Sequence, residues 1–207
     1  VTAQIAYEEW YRIWCGGTVI YSIFSQLAKK VGEPYKSFPT EPFVILEGGV
    51  AGWGTVCGSV NSAALIANFI IGPRTKGGSV WGHVIASNML DWYSHANMPI
   101  FVPKNPKANK KSIVRTVSES PLCHVSVGKW MRASGYPINS PERKDRCARV
   151  AASVAYKLVE DLNRWHRGEY DENIAWGPGK AGITSQFNCA ECHGAKIPKP
   201  PTPLKKI

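Results

Sequence analysis

The sequence predicts a mostly helical fold: a bundle of about five helices, a glycine-rich loop and a loosely structured C-terminal segment. Three observations carry this. Apolar residues recur at three and four over long stretches, most cleanly at Cys147, Val150, Ala151, Val154, Ala155, Leu158, Val159 and Leu162. Two Ser-Pro pairs, Ser120-Pro121 and Ser140-Pro141, offer an N-cap serine followed by proline at the first helical position. Strand patterns are weak throughout, and no internal repeat is visible. With 207 residues, 44% of them apolar, the chain can bury a core without disulfide staples.

Taken in order, Ala3 to Val31 reads as one helix, with Tyr7, Trp10, Trp14, Val19, Ile20, Phe24, Leu27 and Val31 on its apolar side and Gly32 as its stop. Gly16-Gly17 costs helical stability there, which suggests close approach by another helix or a cofactor. Glu33 to Pro42 is a proline-containing loop. The run Gly48 to Gly58 holds five glycines and Cys57 among eleven residues; backbone N–H groups can crowd around a group there. It lacks the Lys-Ser/Thr ending of a phosphate loop, which argues against a nucleotide site.

Cys57 opens an almost wholly apolar helix that ends at Gly72-Pro73, expected to be the buried central helix. A helix from Val80 to Ala96 follows, with Ile85, Met89, Trp92 and Ala96 facing the core and His83 off that stripe. Pro99 to Ser112, rich in proline and lysine, reads as an exposed connection. The helix begun by Ser120-Pro121 carries Cys123 in its first turn and runs to Gly135. A thiol there feels the positive end of the helix dipole, which favours thiolate and makes Cys123 a candidate metal ligand. After Gly168 the pattern loosens, so the expected division is a helical four-cysteine domain, 1–168, and a haem-binding segment, 169–207.

That segment contains Cys189-Ala190-Glu191-Cys192-His193. Two cysteines three apart followed at once by histidine form the c-type haem attachment pattern. The thiols of Cys189 and Cys192 add to the two vinyl groups of one haem, and His193 lies under the iron as proximal ligand. Such haem is attached after export. The chain opens with neither a charged n-region nor an apolar h-region, so the expectation is a mature periplasmic or extracellular protein whose signal peptide is gone. The most apolar stretch, Ala63 to Ile71, is too short to span a bilayer. The net charge of +10 favours an acidic redox partner. No recognisable module with stacking aromatics accompanies the basic residues, which argues against nucleic acid.

Four cysteines remain: Cys15, Cys57, Cys123 and Cys147. From the residues alone they are cluster ligands, disulfides or unrelated core thiols. For the sixth haem ligand the histidines are His83, His124, His95 and His166, with Met89, Met98 and Met131 behind them. His83 ranks first because Trp81 and Gly82 leave room for a porphyrin. His124, next to Cys123, ranks second. Histidine would favour low potential and electron transfer. The opposing functions are a haem enzyme reducing a small oxidised nitrogen or sulfur species, and a redox subunit of a larger complex. No convincing acid–base set supports the enzyme.

Cys15, the glycine run into Cys57-Gly58, Cys123-His124 and Arg146-Cys147-Ala148 appear in an order that resembles the four-cysteine redox protein family that includes split-Soret cytochrome c. The likeness covers roughly residues 7 to 165 and also takes in Leu90-Asp91-Trp92-Tyr93. It implies that the four cysteines hold an iron–sulfur cluster, [2Fe–2S] or [4Fe–4S], and that the haem iron is bis-histidine. It also implies a homodimer with haems gathered near the interface. Family members of the split-Soret type carry two haems per chain, whereas one attachment motif stands here, so any haem stacking would cross the dimer interface.

Overall fold

The computed structural model describes residues 1–75, 79–108 and 113–170. Their elements are α1 (Thr2–Lys30), a 3₁₀ helix (Glu41–Leu46), α2 (Gly58–Ile71), α3 (Trp81–His95), β1 (Asn97–Met98), β2 (Thr116–Val117), α4 (Cys123–Ser134) and α5 (Pro141–His166). The two short strands pair antiparallel, Asn97 opposite Val117 and Met98 opposite Thr116. The mostly helical fold is as expected. The core sits where α1 packs on α5 and α2 packs between α1 and α3, and Val19, Ile20, Val60, Ile66, Ile85, Met89, Val154 and Leu158 are buried in it.

α1 is not the single rod its periodicity suggests. Trp14 has φ 50° and ψ −156°, outside helical space. The chain reverses there: Gln26 Nε2 donates to Thr2 Oγ1 at 2.7 Å and Thr18 Oγ1 to the Ala6 carbonyl at 2.6 Å. A straight helix would hold Thr2 and Gln26 about 36 Å apart. Residues 2–13 and 15–30 are therefore two arms of a helical hairpin, and Cys15 begins the second arm. A non-glycine residue at positive φ is held there by its surroundings, here by the packing of both arms.

The glycine pair after Cys15 gives the 3₁₀ helix room to approach. A Cβ on Gly16 would stand 2.5 Å from Leu46 Cβ and 2.9 Å from the Phe43 carbonyl oxygen. Phe24, Phe38, Phe43 and Phe69 then close an aromatic cluster over this junction, with neighbouring ring centroids 4.8–6.5 Å apart.

α4 begins later than the Ser120-Pro121 signal suggests. Leu122 is its N-cap, while Ser120 Oγ accepts from the Leu122 N–H within the bend before the helix. Ser140 does cap α5, accepting from the Arg143 N–H at 3.1 Å with Pro141 at the first position. The connection after Pro99 is not a free loop. The Ile100 and Phe101 N–H groups donate to Ser153 Oγ at 3.1 and 2.9 Å, and Lys107 N–H donates to the Tyr7 hydroxyl at 2.7 Å. At the far end Tyr170 docks on α3, its ring against Trp81 and its hydroxyl accepting from Asn88 at 3.0 Å. Cys189, Cys192 and His193 lie outside the described residues.

Candidate redox centre

Cys57 and Cys123 are 66 residues apart in sequence, and backbone pairing joins their neighbourhoods. Cys57 N–H donates to the Pro121 carbonyl at 2.8 Å, Cys123 N–H to Thr55 at 2.7 Å, and His124 N–H to Gly54 at 3.2 Å, around an antiparallel bridge between Val56 and Leu122. Each cysteine stands at the start of a helix, Cys57 as cap of α2 and Cys123 as first residue of α4. Gly58 is what lets α2 approach the hairpin. A Cβ there would fall 1.4 Å from the Leu46 carbonyl oxygen and 3.2 Å from Cys15 Cβ. Position 58 therefore admits only glycine in this geometry.

Cys15, Cys123 and Cys147 line one cavity of about 480 Å³, which His124, Met131 and Trp10 also border. Cys57 is buried behind Cys123 and within hydrogen-bonding reach of it. All four are free thiols. They sense one another. The Cys123 thiol, donating to Cys57, holds the Cys57 thiol down to about 6 against its burial, and the same bond together with burial pushes Cys123 up. Burial, with the charges of Cys57 and Cys147, pushes Cys15 up to about 12. Among the described residues no three or more His, Cys, Asp or Glu side chains stand close enough together to hold a metal ion as they are placed.

Donors point at the sulfurs. Trp10 Nε1 donates to Cys15 Sγ at 3.4 Å, and Arg146 Nη1 lies 3.9 Å from Cys147 Sγ. Arg146 Nη2 donates to Ser126 Oγ at 2.6 Å, and the Tyr93 hydroxyl lies 2.9 Å from that oxygen and within reach of Cys57. Burial pulls the Arg146 guanidinium pKa down, but the Cys147, Tyr93 and Cys57 charges outweigh it and the net direction is up. Trp10 reads from the sequence only as a core residue, Tyr93 and Arg146 only as parts of the family-like segments, and Ser126 carries no signal. For Arg146 a further signal exists: together with Arg149 it flanks Cys147 at the start of the small and apolar run Val150–Ala155.

The histidines separate. His124 borders the cavity, with Nδ1 3.0 Å from the Gly54 carbonyl oxygen. His83 is exposed on α3. His95 pairs with Asp91 at 2.9 Å on the surface, and His166 is exposed at the end of α5. Met89 and Met98 are core residues. No helix among the described residues is long and apolar enough to cross a membrane.

Residues 20–161 match the family model "Putative redox-active protein (C_GCAxxG_C_C)". That span takes in Cys57, Cys123 and Cys147 and starts beyond Cys15. Split-Soret cytochrome c of Desulfovibrio desulfuricans (strain ATCC 27774 / DSM 6949 / MB) is 32% identical over 197 residues, which is 94% of this chain and 67% of the relative. A solved structure of the split-Soret cytochrome c from Desulfovibrio desulfuricans ATCC 27774, describing a novel iron centre, aligns with a TM-score of 0.75 at 32% identity. That alignment covers 94% of this chain and 78% of the other. Ordered cysteines, shared helical architecture and sequence identity lead to one conclusion: the chain belongs to the C_GCAxxG_C_C family of redox proteins.

Proposed function

We propose that this protein is an exported c-type cytochrome that passes single electrons through one covalent haem and an iron–sulfur cluster. Cys189 and Cys192 carry the haem and His193 is its proximal ligand; Cys15, Cys57, Cys123 and Cys147 hold the cluster. The observation that carries the cluster is the meeting of four free thiols from four distant stretches: Cys15, Cys123 and Cys147 line one cavity, and Cys57 lies within hydrogen-bonding reach of Cys123. Supporting it, the relative of known structure is a cytochrome with an iron centre.

The donor set fits such a group. Four thiolates are the full complement of a [2Fe–2S] or [4Fe–4S] centre. A bound cluster would supply a one-electron couple at this end of α5. The chain's own residues do the rest. Cys57 is the most readily ionised of the three thiols whose pKa is shifted, Trp10 and Arg146 direct N–H groups at Cys15 and Cys147, and Cys15, Cys57 and Cys147 are buried.

Two histidines compete for the sixth haem position. His124 is favoured by its place on the cavity wall beside Cys123. His83 is favoured because Tyr170, from which the haem segment continues, docks on the same helix. A homodimer with its haems near the interface, and an acidic partner drawn by the +10 charge, complete the reading.

Metal and haem analysis of the full chain tests it. More than one iron per haem is expected. Cys57→Ser and Cys123→Ser should each lower the iron-to-haem ratio and leave the haem covalently attached after denaturation. Cys192→Ala should do the reverse, weakening haem attachment while the other iron stays. One iron per haem in the unmodified protein, or haem lost on denaturation, would overturn the proposal. His83→Ala and His124→Ala, read by haem spectrum and solution mass, decide the distal ligand and the assembly.

A further inference from the structure

Arg146 is 1% exposed, and so is Arg149 one turn along α5. Arg149 is answered by Asp145, with Nη2 and Nε each 2.8 Å from Oδ2. Among the described residues no carboxylate answers Arg146. Among the described residues it forms no ion pair, Nη2 donates to Ser126 Oγ and, at 3.4 Å, to the Ser126 carbonyl, and Nε has no hydrogen-bond partner at all. A guanidinium cannot shed its proton. Left uncompensated in the interior it costs several kcal/mol. Something negative therefore belongs beside it. The atoms in place are the Cys147 sulfur, 3.9 Å from Nη1, and Cys57, reached through Ser126 and Tyr93.

We infer that Arg146 is the built-in counter-charge of the cysteine site: it compensates the negative charge that Cys147 and Cys57 bring as iron ligands and raises the reduction potential of the centre they hold. The inference rests on the cluster reading above. Iron ligated by four thiolates is negative and becomes more so on gaining an electron. A fixed cation against a ligand sulfur therefore stabilises the reduced form more than the oxidised one. Net charge and hydrogen bonds to sulfur are established levers on such potentials. Arginine suits the position because its fork reaches Cys147 and Ser126 together, which an ammonium does not. Arg146 touches a ligand and not a reacting substrate, so it is a positioning and charge-compensating residue.

Redox titration of the full chain, with the haem as internal reference, reads this directly. In Arg146→Met the non-haem wave should move to lower potential by at least the equivalent of a tenfold change in the one-electron equilibrium, about 59 mV, with the haem wave unmoved. Loss of iron to a chelator should be faster in the same variant. Arg146→Lys, which keeps the charge, should restore most of the potential. If Arg146→Met does not accumulate, Arg146→Lys decides alone: a potential near the parent's supports the charge role and a tenfold-equivalent fall overturns it. Iron retained at unchanged potential in Arg146→Met overturns the inference but leaves the cluster. An unmodified protein without non-haem iron overturns both.

Discussion

Arg149 and Arg146 are the same residue type on the same helix at the same burial, yet their surroundings differ in kind. Around Arg149 every charge is answered. Asp145 accepts from Arg149, from the Tyr11 hydroxyl at 3.1 Å and from the Tyr7 hydroxyl, and burial holds both tyrosines protonated as donors. Tyr7 in turn accepts from Lys107 N–H. That closed network ties the first arm of α1 and the connection after Pro99 to α5. Around Arg146 the network is open: among the described residues one nitrogen is unpartnered and the only contacts that can be negative are sulfurs. The difference teaches where structure ends and function begins. A buried polar network that closes on itself specifies the fold, and one that does not close is waiting for charge from elsewhere.

The largest effect should come from breaking the closed half. Asp145→Asn removes the counter-charge of Arg149 and leaves a buried guanidinium unanswered, which costs about 3–5 kcal/mol. Denaturant unfolding should show a fall of that size, while the iron-to-haem ratio of the folded fraction stays at the parent's value. Selective loss of non-haem iron from protein that is still folded would show that the two halves are not independent.

The closed half was partly open to reading and the open half was not. Helix positions followed from apolar spacing, because burying one face of a helix is a local pattern. The break at Trp14 was hidden: its neighbours keep helical spacing through the turn, and only Gly16-Gly17 hinted at something unusual. Asp145 and Arg149 stand four apart, a legible ion pair, although their burial was not. The meeting of Cys57 with Cys123 depends on backbone pairing between residues 54–57 and 121–124, a non-local contact with no local signature. Ser120-Pro121 misled for the same reason: Cys123 N–H is committed to Thr55, and the helix starts after that bond.

Ser126 sharpens the contrast from the other side. Its hydroxyl receives both Arg146 and Tyr93. Ser126→Ala should cost about 1–3 kcal/mol, the range for leaving buried donors without their acceptor. Unlike Asp145→Asn, it should also broaden or shift the non-haem redox wave, since it frees the guanidinium that faces Cys147. An unmoved wave with lowered stability would place Ser126 among purely structural groups.

The smallest expected effect falls on the helix both arginines share. Ser140 caps α5 through one hydrogen bond to the Arg143 N–H, and the cap lies five residues before Asp145. Ser140→Ala should lower stability by about 1 kcal/mol, the usual cost of a lost N-cap. The first turn of α5 is where that loss acts. Arg146 and Arg149 lie beyond it, held by Ser126 and Asp145 rather than by the cap. Iron content and both redox waves should therefore match the parent protein, and unfolding should show one transition. If the non-haem wave moves in Ser140→Ala as it does in Ser126→Ala, the centre responds to any loosening of α5. In that case the shift in Arg146→Met could not be credited to charge unless Arg146→Lys reverses it.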